Sequence, residues 1–388
     1  MGSASRLEAL ASSPSKSLAL VLSAFCLGIA LGPLLAVVSP AFTWIVAILL
    51  AAFALSVRSR SALLACVMAA AFGFGAARTF APALAIPVPP EAAALREWIG
   101  QRMAAALPEP YAGFLTGLIF GGSSALPDGL REAFRTTGLS HILSASGSNV
   151  ALTTFIFFNF VITTPLGRRW GTRVTAALLL LYVFVAGAGA AIVRAAIMGS
   201  VVLLGETMRR RASPHNALLL AATLMLAFDP TLLREDIGFQ LSIAATYAMM
   251  AWAGPVGERL AFLPERFGLR ESLAGSLAAI AITMPIVLWH FGTVSLIAPI
   301  ANLVVLPLVP YAIASGIIAL AASITLQTLP TLITLLALPA WALSSLMLHV
   351  VSWLDAVPHA SVSVPNARVL ALISTVPLLF LWRRLRSV

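Results

Sequence analysis

Uninterrupted apolar runs close to the length of a membrane-crossing helix recur from one end of this chain to the other, and no other feature restricts its fold as tightly. "LALVLSAFCLGIALGPLLAVV" (18–38) is the first. Similar runs lie at 42–57, 61–77, 139–164, 174–190, 192–208, 215–228, 237–253, 272–291, 308–325, 331–353 and 367–382. A helix needs about 20 mostly apolar residues to cross the hydrocarbon layer. Only 10% of the 388 residues are charged, against about 25% in soluble domains. Hydrocarbon offers the peptide groups no partners, so a spanning backbone is helical or a closed barrel. The alternating strands of a barrel do not occur here. The expected fold is an all-α polytopic membrane protein with about 12 transmembrane helices, together with short amphipathic and re-entrant segments.

The charges orient this bundle. The formal net charge is +10, and Lys16 is the only basic residue besides the arginines and histidines. Basic clusters flank the runs: Arg6 and Lys16, "RSR" (58–60), Arg168 to Arg173, "RRR" (209–211), the charged stretch 254–271 and "RRLR" (383–386). Cytoplasmic loops carry such clusters, so both termini are expected in the cytoplasm. A polyanionic partner is the second explanation for the same charge. Cys26 and Cys66 lie within apolar runs and match no zinc spacing. No GxxxxGK[ST], GxGxxG or HExxH pattern is present, so the sequence carries no ATP-motor motif.

Four segments follow: an N-terminal three-helix membrane segment (1–77), an extracytoplasmic linker with amphipathic helices (78–138), a membrane core (139–325) and C-terminal transmembrane helices (326–388). In the linker, "EAAALREWIGQRMAAAL" (91–107) mixes charges with Leu95, Trp98, Ile99 and Met103, as an interfacial helix does. "PDGLREAFRTTG" reads as a second polar helix.

Polar groups inside apolar runs are the candidate functional residues, because burying them is costly. In "GLSHILSASGSNVAL" (138–152), Ser140, Ser144, Ser148 and His141 fall within an arc of about 100° on a helix. Ser146 and Gly147 follow within the same stretch, and Asn149 lies about 80° beyond the stripe. Small polar residues also serve as packing glue, but His141 and Asn149 favour a polar pathway. Arg194 interrupts "YVFVAGAGAAIVRAAIMGSVVLLGE" (182–206). It is either an interfacial, snorkelling arginine or a cavity-facing one positioned for an anion. In "LLREDIGFQLSIAATYAMM" (232–250), Asp236 is an N-cap candidate, while Gln240 is expected to pair across helices. "MPIVLWHFGTVSLIAPIANLVVLPLVP" (284–310) carries His290, Asn302 and three prolines, among them Pro299 and Pro307. A broken or re-entrant segment is expected there. His141 and His290 lack a carboxylate or thiolate to complete a metal site, and no cofactor is indicated.

These four blocks, in this order, resemble the competence region of the ComEC family over about residues 111–310. The resemblance implies an inner-membrane channel importing single-stranded DNA during natural transformation, with no enzymatic step of its own. It places His141, Ser146, Gly147, Arg194, Gly238, Phe239, Gln240, Asn302 and Pro307 at motif positions. It also implies partners: a separate ATP-driven motor in the cytoplasm, a separate nuclease and a periplasmic DNA-binding protein. Asn149 stands where the family's first motif usually has a second histidine. An OB-like outer domain and a metallo-β-lactamase-like domain are expected to be missing, giving a reduced form. A small-solute or lipid transporter on the same bundle, or a non-transporting scaffold, are the alternatives.

Overall fold

The computed structural model describes residues 8, 10–35, 39–84, 89–122, 124–143, 149, 152–153, 167–207, 213–263 and 268–375; at 167–172 and 202–207 it describes the backbone alone. The first helices are α1 (Pro14–Leu31), α2 (Pro40–Ala54) and α3 (Arg60–Arg78). Next come α4 (Pro90–Ala106), α5 (Tyr111–Phe120), α6 (Asp128–Thr136) and α7 (Ser140–Leu143). Then follow α8 (Gly167–Val185), α9 (Ala190–Thr207), α10 (Pro214–Phe228), α11 (Leu232–Glu235) and α12 (Ile237–Arg259). The chain continues through α13 (Leu269–Phe291), strand β1 (Thr293–Ser295) and α14 (Ala298–Val305). A 3-10 turn (Leu306–Leu308) leads into α15 (Val309–Thr325). Then come α16 (Pro330–Asp355) and strand β2 (Ser361–Ser363), and 367–375 is helical again.

The all-α membrane class is what these elements show. Among the described residues, five helical segments are long and apolar enough to cross a membrane: 14–35, 60–78, 269–291, 298–325 and 330–355. Five shorter apolar helices of 10–17 residues accompany them. The described residues thus show the expected kind of fold and do not fix the number of spans. Several helix starts repeat one local device. At Ser39–Pro40 and Ser213–Pro214 the serine Oγ accepts from the N–H three residues on, at 3.3 and 3.5 Å, and the proline occupies the first turn. Proline is tolerated there because that N–H has no intrahelical acceptor.

Contacts divide the chain into two units, 1–87 with 197–243 and 88–196 with 244–388. In the first, α1 packs on α3, α2 on α3 and α10 on α1. The α1–α3 crossing is close enough to require glycine. A Cβ on Gly28 would lie 2.1 Å from the Phe72 carbonyl oxygen, and one on Gly75 2.1 Å from that of Phe25. Small residues at such crossings are how membrane helices gain packing, since lipid supplies no hydrophobic drive between them.

In the second unit, α15 packs on α16 and α4, α4 on α5, and α6 on α16. One apolar core joins Met103, Phe114, Leu118, Phe134, Leu139, Val305, Ile313 and Met347. The Phe114 and Phe134 rings stack at 5.7 Å. Thus α4, expected as an interfacial helix, buries Ile99 and Met103 in this core and leaves Glu91, Glu97 and Trp98 outside. The proline-rich stretch is a broken helix: Pro299 sits in the first turn of α14, Pro307 in the 3-10 turn and Pro310 in the first turn of α15. β1 and β2 pair antiparallel, with Thr293 opposite Ser363, Val294 opposite Val362 and Ser295 opposite Ser361. The ladder brings the C-terminal ends of α13 and α16 to one end of the unit. α6 joins them there, since Thr136 hydrogen-bonds Asp355 at the end of α16.

Candidate functional site

The first motif is built around the end of α5. This helix has only ten residues, eight of them buried, and it stops inside the unit. Its last carbonyls have no intrahelical donor, and three side chains supply one. Asn149, 2% exposed, donates Nδ2–H to the Leu118 carbonyl at 2.9 Å and to that of Ile142 at 3.3 Å. The buried Tyr182 hydroxyl donates to Ile119, and Arg96 of α4 donates to Gly121. Arg96 reaches the Ala186 carbonyl, just beyond α8, at 3.4 Å as well. Gly122 has φ +104°, and a Cβ there would meet the Arg96 guanidinium at 2.7 Å. Glycine is needed both for that backbone and for the arginine's approach.

His141 is exposed, with Nδ1 3.1 Å from the Gly138 carbonyl oxygen. Facing an acceptor, that nitrogen carries the proton. A Cβ on Gly138 would meet Ala298 at 2.7 Å and Ser295 at 3.2 Å. The first and fourth motifs, far apart in sequence, are therefore in contact. Ser144, Ser146, Gly147 and Ser148 lie outside the described residues, so the polar stripe is not among the features seen.

The second and third motifs meet at Arg194. It lies in α9, is 7% exposed, and donates Nη1–H to the Thr246 hydroxyl of α12. Its Nε–H is buried without an acceptor. Of the two readings open from sequence, snorkelling to water is not what this side chain does. Asn302 of α14 is 3% exposed and donates Nδ2–H to Ser276 of α13 at 2.7 Å, while its Oδ1 is buried without a donor. Each such unmet group costs about 1–3 kcal/mol in a folded chain.

Gln240 donates Nε2–H to the carbonyls of Leu233 and Arg234, both at 3.1 Å, and so braces the short α11 that precedes it. Asp236 accepts from the Phe239 N–H at 2.7 Å and caps α12, as its position predicted. Gly238 is exposed and Phe239 buried beside this cap.

Two buried arginines are found among the described residues, and they differ. Arg78 bonds the Ala227, Ala81 and Phe228 carbonyls through Nε, Nη1 and Nη2 at 2.6, 2.9 and 2.6 Å. All three of its nitrogens are engaged, two of them at the end of α10. Arg194 engages one. The roles of Arg78, Arg96, Tyr182 and Ser276 were not visible in sequence; the glycines at 121–122 and 187 beside free carbonyls were the available signal for Arg96. A groove of about 400 Å³ in the first unit, lined by Leu22, Phe25, Trp44, Phe74, Arg78 and Thr223 among others, holds none of the expected pathway residues.

The family model described as "Competence protein" matches residues 118–386, more than half of the chain. This chain belongs to the ComEC family of competence proteins. The ComE operon protein 3 of Bacillus subtilis (strain 168) is 29% identical over 213 residues, which cover 55% of this chain and 26% of that protein. Competence protein ComA of Neisseria gonorrhoeae is 28% identical over 205 residues, covering 50% of this chain and 28% of its own. The chain thus spans about a quarter of the length of each of these ComEC-type relatives. No solved structure matches it. Within the ComEC match fall α6 to α16 and the motif residues just described, whereas Arg96 of α4 lies before it.

Proposed function

We propose that this chain is a component of an inner-membrane channel that imports single-stranded DNA during natural transformation. Family membership supports a role in DNA uptake. Arg194 carries the finer reading: a buried cation in the membrane helices whose hydrogen-bonding capacity the protein leaves partly unused. A strand crossing hydrocarbon needs its phosphate charge compensated or hydrated throughout. Arg194, with the half-used amide of Asn302, offers such a point; Asn149 and Gln240, spent on backbone carbonyls, act as braces.

In this reading the polypeptide makes about 12 crossings with both termini in the cytoplasm. It performs no chemistry itself. A separate cytoplasmic ATP-driven motor supplies the work, and a nuclease and a periplasmic DNA-binding protein deliver the strand.

The test is transformation with labelled DNA in a deletion strain complemented by the wild-type chain, His141→Ala or Arg194→Ala. Labelled DNA should reach the cytoplasm with the wild-type chain and fall at least about tenfold with Arg194→Ala, as expected for losing a charged contact of about 1.4 kcal/mol or more. His141→Ala, at an exposed position, should have the smaller effect. Uptake that persists without the protein would end the reading.

A further inference from the structure

Arg194 supports a narrower conclusion, which rests on the import reading and concerns what its free edge binds. A guanidinium presents its Nε–H and Nη2–H side by side, a fork that matches two oxygens of a phosphate or carboxylate. In Arg194 the remaining nitrogen, Nη1, is held by Thr246. The Nε edge is buried and has no acceptor. The two ion pairs found among the described residues, Arg131 with Asp128 and Arg135 with Glu132, lie on the exposed α6, so no carboxylate neutralises Arg194 there. Arg78 shows what a purely structural buried arginine looks like in this chain, with every nitrogen bonded to a carbonyl.

Position adds to this. Arg194 stands in the second turn of α9, which begins at Ala190. Long helical side chains lean toward the N-terminus of their helix. That end carries the positive pole of the helix dipole and N–H groups without intrahelical acceptors. The fork and the helix end therefore favour the same kind of ligand. We infer that Arg194, oriented by Thr246 in the second turn of α9, forms a binding site for one phosphate oxyanion at a time. Two sources share this chemistry, the phosphodiester of a nucleic-acid strand and the headgroup of an anionic phospholipid.

The experiment uses the purified full chain in phosphatidylcholine nanodiscs and inorganic phosphate at constant ionic strength, followed by equilibrium dialysis with radiolabelled phosphate. The wild type should bind about one phosphate per chain saturably. Arg194→Gln should weaken binding by at least about tenfold, and Arg194→Lys, which keeps the charge but loses the fork, should fall between them. Thr246→Val should weaken binding severalfold while preserving the charge, which keeps the proposal testable if Arg194→Gln fails to fold. Equal binding by wild type and Arg194→Lys would remove the fork, and equal binding by wild type and Arg194→Gln would overturn the site. Competition by oligothymidylate assigns the site to a strand; competition by phosphatidylglycerol built into the nanodisc assigns it to lipid. Saturable phosphate binding in a chain whose deletion leaves DNA uptake unchanged would keep the site and end the import reading. Uptake that needs the chain, with no phosphate bound, would do the reverse.

Discussion

At the scale of single residues, the buried polar side chains divide by what they satisfy. Asn149 and Tyr182 close carbonyls at the end of α5. Removing either donor leaves a carbonyl unmet in a dry interior, a loss of about 1–3 kcal/mol. Tyr182→Phe and Asn149→Leu should each lower stability by that order in denaturant titrations in detergent. Neither should abolish phosphate binding at Arg194, since neither contacts it. The residue scale also shows where sequence reading succeeds. Asp236 was legible because an N-cap is a local device, set by the three residues after it. The partner of Arg194 was not, because Thr246 comes from another helix, 52 residues on, that only the tertiary fold brings in. The bonds from Gln240 to the Leu233 and Arg234 carbonyls were not legible either, because nothing in the residue types announces them.

At the scale of elements, the α1–α3 pair is fixed by backbone contact rather than side-chain interlock. With the Cβ position at Gly75 only 2.1 Å from a carbonyl oxygen, no rotamer relieves a larger residue. Gly75→Val should force the two helices apart and sharply reduce folded protein recovered from membranes. Gly100→Ala, at a glycine with nothing within 4 Å of its Cβ position, is the control and should be neutral or stabilising. Most long helices were readable to within a few residues, from apolar length and from serine–proline starts. The break at Pro307 was readable too, because a proline inside a helix removes a donor whatever its surroundings. The strands were not: "TVS" and "SVS" are three residues each, and their pairing spans the whole of α14 to α16. Short α5 was equally opaque, since its end is stable only through donors from α4, α8 and Asn149.

At the scale of the molecule, the second unit carries an internal test of its orientation in the membrane. The ladder and the Thr136–Asp355 bond put α6, the end of α13 and the end of α16 on one face. The proposed topology assigns all three to the outer side. Directly opposed residues of an antiparallel pair have Cα atoms about 4.5–5.5 Å apart, within the range a disulfide spans. With Cys26 and Cys66 replaced by serine, Val294→Cys with Val362→Cys should therefore cross-link on mild oxidation. A membrane-impermeant thiol reagent added from outside intact cells should reach Ser361→Cys alone and spare a cysteine placed in 254–263.

The same ladder has a mechanical corollary. Val364 donates to the Gly292 carbonyl and Leu296 to that of Ala360, both at 2.9 Å, so the intervening chain is a ring fastened at one rim. A fastened ring cannot open by its ends drifting apart. Widening must come from flexure at an existing interruption in its wall, and the 3-10 turn at Pro307, one helical turn from the half-satisfied Asn302, is such an interruption.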